Sequence, residues 1–252
     1  MILEFILLGL AGVIAGIMNA LAGGGTLISF PMLLAAGIPP ISANVTNTIA
    51  LCPGQLGGAF AQLNDLRGQK ERFWIFLPTG IISGIIGGVL LINSGEKLFR
   101  SLVPFLILIA SGLLAVQEPL RKWLIKRTAN KGSSGISHKW VILPIGIAGI
   151  YGGYFGAGLG VITLAILGLA IEDSLTRLNA LKQTFTFSVN VSASIFFLFS
   201  GKVVWPAAIV MAAGAIIGGS LGGKLAGRVR PSSLRWVVVT VGVIVGIIYL
   251  VK

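Results

Sequence analysis

Eight stretches of this chain contain no Asp, Glu, Lys or Arg: 5–37, 43–61, 73–95, 101–117, 140–171, 183–201, 203–223 and 236–251. A helix that crosses a bilayer needs about 20 mainly apolar residues. Six of the stretches have the length of one crossing helix. The other two, 5–37 and 140–171, are too long for that, and glycines interrupt both. Gly23-Gly24-Gly25 breaks the first; Gly152-Gly153 and the run from Gly156 to Gly160 break the second. Each is expected to form a helical hairpin whose short second arm crosses or re-enters. With 55% hydrophobic and 10% charged residues, a water-soluble domain of this length could not hide its apolar surface. The same figures exclude a disordered chain, and the single cysteine, Cys52, excludes a disulfide scaffold. The amino-terminal run has no basic start and no small-residue cleavage site, so it is read as retained.

The two hairpins also reveal an internal repeat. Gly9-Leu-Ala-Gly12 matches Gly146-Ile-Ala-Gly149, and at the same spacing Gly16 falls on Gly153, Gly23 on Gly160 and Thr26 on Thr163. Further on, Trp74 pairs with Trp205, Gly87-Gly88 with Gly218-Gly219, and Arg100 with Arg235. The reading is a first transmembrane repeat over 1–118, a basic linker over 119–139 and a second repeat over 140–252.

The net charge of +12 would point to nucleic acid in a soluble protein. Here it follows the loops instead. Segments 62–72, 119–139, 172–182 and 224–235 hold 15 of the 19 basic residues, and cytoplasmic loops collect Lys and Arg. Placing those segments inside gives one consistent path with both termini outside. Equivalent loops in the two halves then carry opposite charge weight, which is inverted topology. Trp74, Trp123, Trp140, Trp205 and Trp236 read as interface anchors, and the basic linker as a segment facing membrane lipid. The fold expected is an all-α polytopic membrane protein of two inverted repeats, with eight to ten hydrophobic helices. Nucleic-acid binding is not expected.

Inverted repeats with broken helices are the sequence pointer to a secondary transporter, whose substrate site lies near the midplane. A glycine break followed by a helix start presents backbone N–H groups, which favour an anion. Gly23, Gly24, Gly25, Gly158 and Gly160 are placed in the site on that ground, against close packing of helices as the alternative. A second cluster is Asn44-Val-Thr-Asn-Thr48, with Cys52-Pro-Gly-Gln55 behind it. Its counterpart runs from Asn179 through Lys182-Gln183-Thr184 to Ser188 and Asn190. Polar groups at membrane depth are costly unless paired or facing a cavity. Asn44, Asn47, Thr48, Lys182 and Gln183 are the substrate-contact candidates, with Gln55, Cys52 and Arg177 behind them. The plainer alternatives are helix caps and interhelical bonds for the amides, snorkelling for Lys182 and a small buried thiol for Cys52. Pro53-Gly54 is expected to kink or break its helix.

No Asp or Glu falls inside any charge-free stretch, and the lone His138 lies in the linker, so neither a carboxylate relay nor a metal site is expected. No nucleophile–base set or phosphate-binding loop is visible, and neither an enzyme nor a cofactor is expected. A donor-rich interior without acids fits an anion.

The segments Ala22-Gly-Gly-Gly-Thr-Leu-Ile-Ser-Phe-Pro31, Gly37-Ile-Pro-Pro40 and Ala43-Asn-Val-Thr-Asn-Thr-Ile-Ala-Leu51 resemble the TauE/SafE sulfite exporter family. The resemblance covers essentially the whole chain. It implies a multi-pass permease of a prokaryotic inner membrane that exports sulfite or a small organosulfur anion such as sulfoacetate. Members differ in substrate, so a carrier of other sulfonates or of thiol compounds through Cys52 stands as the alternative, with an anion channel behind it. The second half has Gly156-Ala-Gly-Leu-Gly160 and Lys182-Gln-Thr184 where the first has a glycine triplet and Thr-Asn-Thr, so the site is expected to be asymmetric. Glycine-rich faces also allow a homodimer.

Overall fold

A computed structural model describes residues 2–21, 24–129, 139–225 and 231–251. Gly23 and His138 lie outside them. The described chain is helical, with no strand among the described residues. Helices α1 (Ile2–Leu21) and α2 (Thr26–Ala35) form the first hairpin, followed by α3 (Pro40–Ala61), α4 (Lys70–Asn93) and α5 (Glu96–Ala129). The second hairpin is α6 (Lys139–Tyr154) and α7 (Leu159–Ala170), followed by α8 (Leu175–Leu198), α9 (Trp205–Leu225) and α10 (Pro231–Val251). A short 3-10 turn, Leu63–Leu66, precedes α4.

Neighbours in space repeat when each of the first five helices is exchanged with the helix five places later. α1 lies against α9 as α6 lies against α4; α3 meets α9 as α8 meets α4; α2 reaches α10 as α7 reaches α5. In lipid no hydrophobic force draws helices together, so close backbone approach has to do it. Gly16 shows how. A methyl group there would strike the backbone of Ala215 and Gly219 on α9, and one at Gly153 would strike Gly84 on α4. These glycines, with Gly87 and Gly218, are packing residues.

Five helices are long and apolar enough to cross a membrane by length and composition: α1, α4, α5, α9 and α10. Helices α3 and α8 are 22 and 24 residues long but are not among them, because they carry the amide and hydroxyl side chains. They are instead enclosed by their neighbours and touch each other. A polar helix within an apolar bundle needs such shielding. Trp74, Trp123, Trp205 and Trp236 are exposed near helix ends.

Two expectations need correction. Of the kink or break expected at Pro53-Gly54, the break does not occur, since α3 runs on through Pro53; neighbouring helices and side chains re-satisfy the groups that proline frees in a membrane helix. The expectation of acid-free spans also fails in the interior of α5. α5 extends well past Gln117, and its apolar core segment, Glu96–Lys126, includes Glu118. Glu118 pairs at 3.3 Å with Arg235 of α10, whose side chain is 6% exposed. The charge-free boundary stopped at Gln117, twelve residues before α5 ends, because Glu118 carries a charge whose partner lies 117 positions away.

Candidate functional site

Both hairpin arms start from a glycine in the left-handed region, Gly24 (φ 86°) and Gly158 (φ 79°). Other residues adopt that conformation only at a cost. Gly24 and Gly158 also meet the same wall. A methyl group would lie 2.7 Å from Leu114 Cδ2 at Gly24 and 3.1 Å from Leu113 Cδ1 at Gly158. Adjacent leucines of α5 therefore hold both tips in place. At the start of α7, Leu159 N–H turns back to Gly156 O and Val161 N–H to Gly158 O. The first turn of any helix leaves N–H groups without intrahelical partners, at its positive dipole end.

Between the tips lies a cavity of about 750 Å³, within the size range of small-molecule sites. Its walls come from α1, α2, α3, α5, α7, α8 and α9 and from both tips. The expected residues that line it are Gly24, Asn47, Thr48, Gln55, Gly158, Gly160, Lys182 and Gln183. Among the described residues Lys182 is its one charged lining residue, and no carboxylate lines it. Lys182 Nζ donates to Asn179 Oδ1 at 3.2 Å, and no carboxylate among the described residues pairs with it.

Hydrogen bonds hold several amides of the lining. Asn47 Oδ1 accepts from the buried Ser29 hydroxyl. Gln55 Oε1 accepts from Asn190 Nδ2 at 2.9 Å, a pair equally satisfied with both amides turned over. Asn19 Oδ1 accepts from Gly25 N–H at 2.9 Å. The hydroxyls behave differently: Thr48 donates to Asn44 O at 2.9 Å and Thr186 to Gln183 O at 3.2 Å, each on its own helix. The polar lining therefore comes from amides and from Lys182, rather than from Thr48 as its position suggested, and it includes the unpartnered oxygens Gln62 Oε1 and Gln117 Oε1.

Four expected residues do not line the cavity. Gly25 caps α2 with its N–H held by Asn19. Asn44 is fully buried and ties α3 to the second hairpin, donating to Tyr154 O at 2.8 Å. Arg177 is held by Asp173 (3.0 Å), which also pairs with Arg72, so its charge is spent joining α8 to α4. Cys52 is half-buried and lies outside the lining. Asn19, Thr26, Gln62, Gln117, Thr186, Asn190 and Ser220 line the cavity although sequence reasoning did not select them. For Asn19 and Asn190 a signal existed: one precedes the glycine triplet by a turn, the other continues the Gln183 stripe at helical spacing.

Of the aromatic rings nearby, Phe155 lines the cavity. Phe30 of α2 packs edge-on against Phe155 with centroids 5.4 Å apart, and Phe99 of α5 against Tyr154 at 5.6 Å. Among the described residues no cluster of His, Cys, Asp and Glu could hold a metal ion.

A multi-pass helical bundle built around a polar cavity has the form of a membrane transporter. The family model "Sulfite exporter TauE/SafE" matches residues 8–249, and the chain belongs to that family. It is 30% identical over 215 residues to a "Probable membrane transporter protein" of Haemophilus influenzae, covering 85% of this chain and 82% of that one. It is 27% identical to the "Probable membrane transporter protein ORF9" of a Sinorhizobium species, covering 86% and 80%. Against the "Probable membrane transporter protein YfcA" of Escherichia coli K12 the identity is 24%, covering 84% and 77%. No solved structure matches the chain significantly.

Proposed function

We propose that this protein carries a small sulfur oxyanion, sulfite or an organosulfur anion such as sulfoacetate, across a prokaryotic inner membrane by alternating access. The observation that carries the reading is the lining of the cavity among the described residues: amide side chains, the first residues of α7 and one lysine, with no carboxylate. A cation would find no counter-charge there, whereas an anion finds the lysine and amide donors. Sulfur chemistry is drawn from the family.

The pairwise exchange of helix contacts supports two repeats that rock against each other. With the basic loops on the cytoplasmic side, Gln62, Ser220 and Gly223 sit near cytoplasmic helix ends. A cavity lined by them, with Phe155 in its wall and the rings of Phe30, Phe99 and Tyr154 packed behind it, corresponds to an inward-facing state. The test is flux in proteoliposomes with labelled sulfite, sulfoacetate and sulfate. A carrier shows saturation and counterflow, and unsaturable flux without counterflow would identify a channel instead. Absence of flux with all three anions would overturn the oxyanion reading.

A further inference from the structure

Ser29 lies on α2 behind the cavity wall. It is fully buried, and its hydroxyl has two acceptors in reach: Asn47 Oδ1 across the α2–α3 interface, and Gly25 O at 3.1 Å on its own helix. A hydroxyl has one hydrogen to give. Gly25 O already accepts from Ile28 N–H and Ser29 N–H, so the hydroxyl hydrogen goes to Asn47 Oδ1. Asn47 is 2% exposed and lines the cavity, so whichever end of its amide Ser29 does not hold is the end a substrate meets.

The alternative arrangement makes the consequence plain. If Ser29 gave its hydrogen to Gly25 O, it could serve Asn47 only as an acceptor. The amide would then turn its nitrogen to Ser29 and its oxygen to the cavity. One buried hydroxyl thus decides whether this wall offers a donor or an acceptor. Asn19 is fixed more firmly, because the Gly25 N–H that holds its oxygen can only donate.

We propose that Ser29 is a positioning residue for anion selectivity: by donating to Asn47 Oδ1 it presents Asn47 Nδ2 to the substrate. This rests on the oxyanion reading above. Removing the hydroxyl frees the amide to present its oxygen, so affinity for an anion falls while the machinery of transport stays intact.

The experiment measures KM and turnover for sulfite, sulfoacetate and sulfate in proteoliposomes with wild type, Ser29→Ala and Ser29→Thr. Ser29→Ala is expected to raise KM for the transported anion about tenfold, the scale of one charge-assisted hydrogen bond, with turnover kept within about twofold. Ser29→Thr keeps the hydroxyl and is expected to restore KM. Should Ser29→Ala not yield monodisperse protein, Ser29→Cys replaces it, a poor donor at similar volume. An unchanged KM, a fall in turnover alone, or a threonine variant as weak as the alanine one would each overturn the role of Ser29. If wild type carries sulfite and only the Ser29 effect is missing, the oxyanion reading survives. If wild type carries none of the three anions, both fall.

Discussion

Replacing Lys182 by Met keeps most of the side-chain volume and removes the charge. An ammonium about 4 Å from an anion is worth about 4 kcal/mol at an effective dielectric constant of about 20. Water already supplies part of that, and bonds to charged groups contribute about 1.5–3 kcal/mol net. KM for the anion should therefore rise roughly 10- to 100-fold. Stability should move the other way. The lysine's partner is the neutral Asn179 Oδ1, so its deletion strands no carboxylate. Substituting an apolar group for an incompletely compensated charge is neutral or stabilising. Lys182→Met is thus expected to lose anion affinity while keeping or raising the thermal unfolding temperature in detergent without substrate, and Lys182→Arg to retain affinity within about an order of magnitude. The two readouts separate the alternatives. A lysine that merely snorkels to the interface would leave KM unchanged on substitution. A lysine that holds the fold together would lower the unfolding temperature. Either result refutes the reasoning.

Three further outcomes follow from the geometry. Gly158→Ala, at φ 79° and with Leu113 Cδ1 3.1 Å from the new methyl group, should cost about 1–2 kcal/mol in unfolding free energy from backbone strain. The same change at Gly112, where a methyl group meets nothing within 4 Å, should be nearly silent and so serves as the control. Glu118→Gln leaves the nearly buried Arg235 without a counter-ion and should destabilise the protein by about 1–3 kcal/mol; an equal loss in Arg235→Met with Glu118 intact would argue against that asymmetry. Ser220→Cys, in a Cys52→Ala background, should react with a membrane-impermeant thiol reagent from the cytoplasmic face and not from the outer one. Labelling from the outer face alone would reverse the topology.

Much of the bundle was legible in the chain because membrane helices announce themselves by where charge is missing. The hairpin breaks at Gly24 and at Gly156 and Gly158 were legible too, but a glycine run is not always a break: Gly152-Gly153, expected to interrupt the second stretch, lie inside α6, where Gly153 packs against Gly84. What charge counting could not locate was pairing. Glu118 looked like the end of a span, yet α5 carries it onward because Arg235 waits on α10. Arg177 looked like a candidate for the substrate for the opposite reason: its partner Asp173 is visible only four residues away, but Arg72, which completes the cluster, comes from the other half. The site was half legible. Asn47 and Gln183 were found from polarity alone. Asn44 has the same polarity, but its helix phase turns it to Tyr154 O, and composition does not record phase against a neighbour.

The same phase argument explains why the cavity carries a single charge. Thr46 is the repeat partner of Lys182. In the first half that position is fully buried, and its hydroxyl oxygen accepts from Val204 N–H at 3.0 Å, tying α3 to the start of α9. In the second half the equivalent place belongs to Lys182, which lines the cavity. Thr46, held by Val204, does not line the cavity, so Lys182 has no charged counterpart from the first half. Introducing a second cation by Thr46→Lys would therefore not strengthen transport. It would sever the Val204 contact and bury an unpaired charge, so the symmetric-looking substitution should lower both stability and flux. A Thr46→Lys variant that folded well and transported faster would show that the asymmetry is incidental.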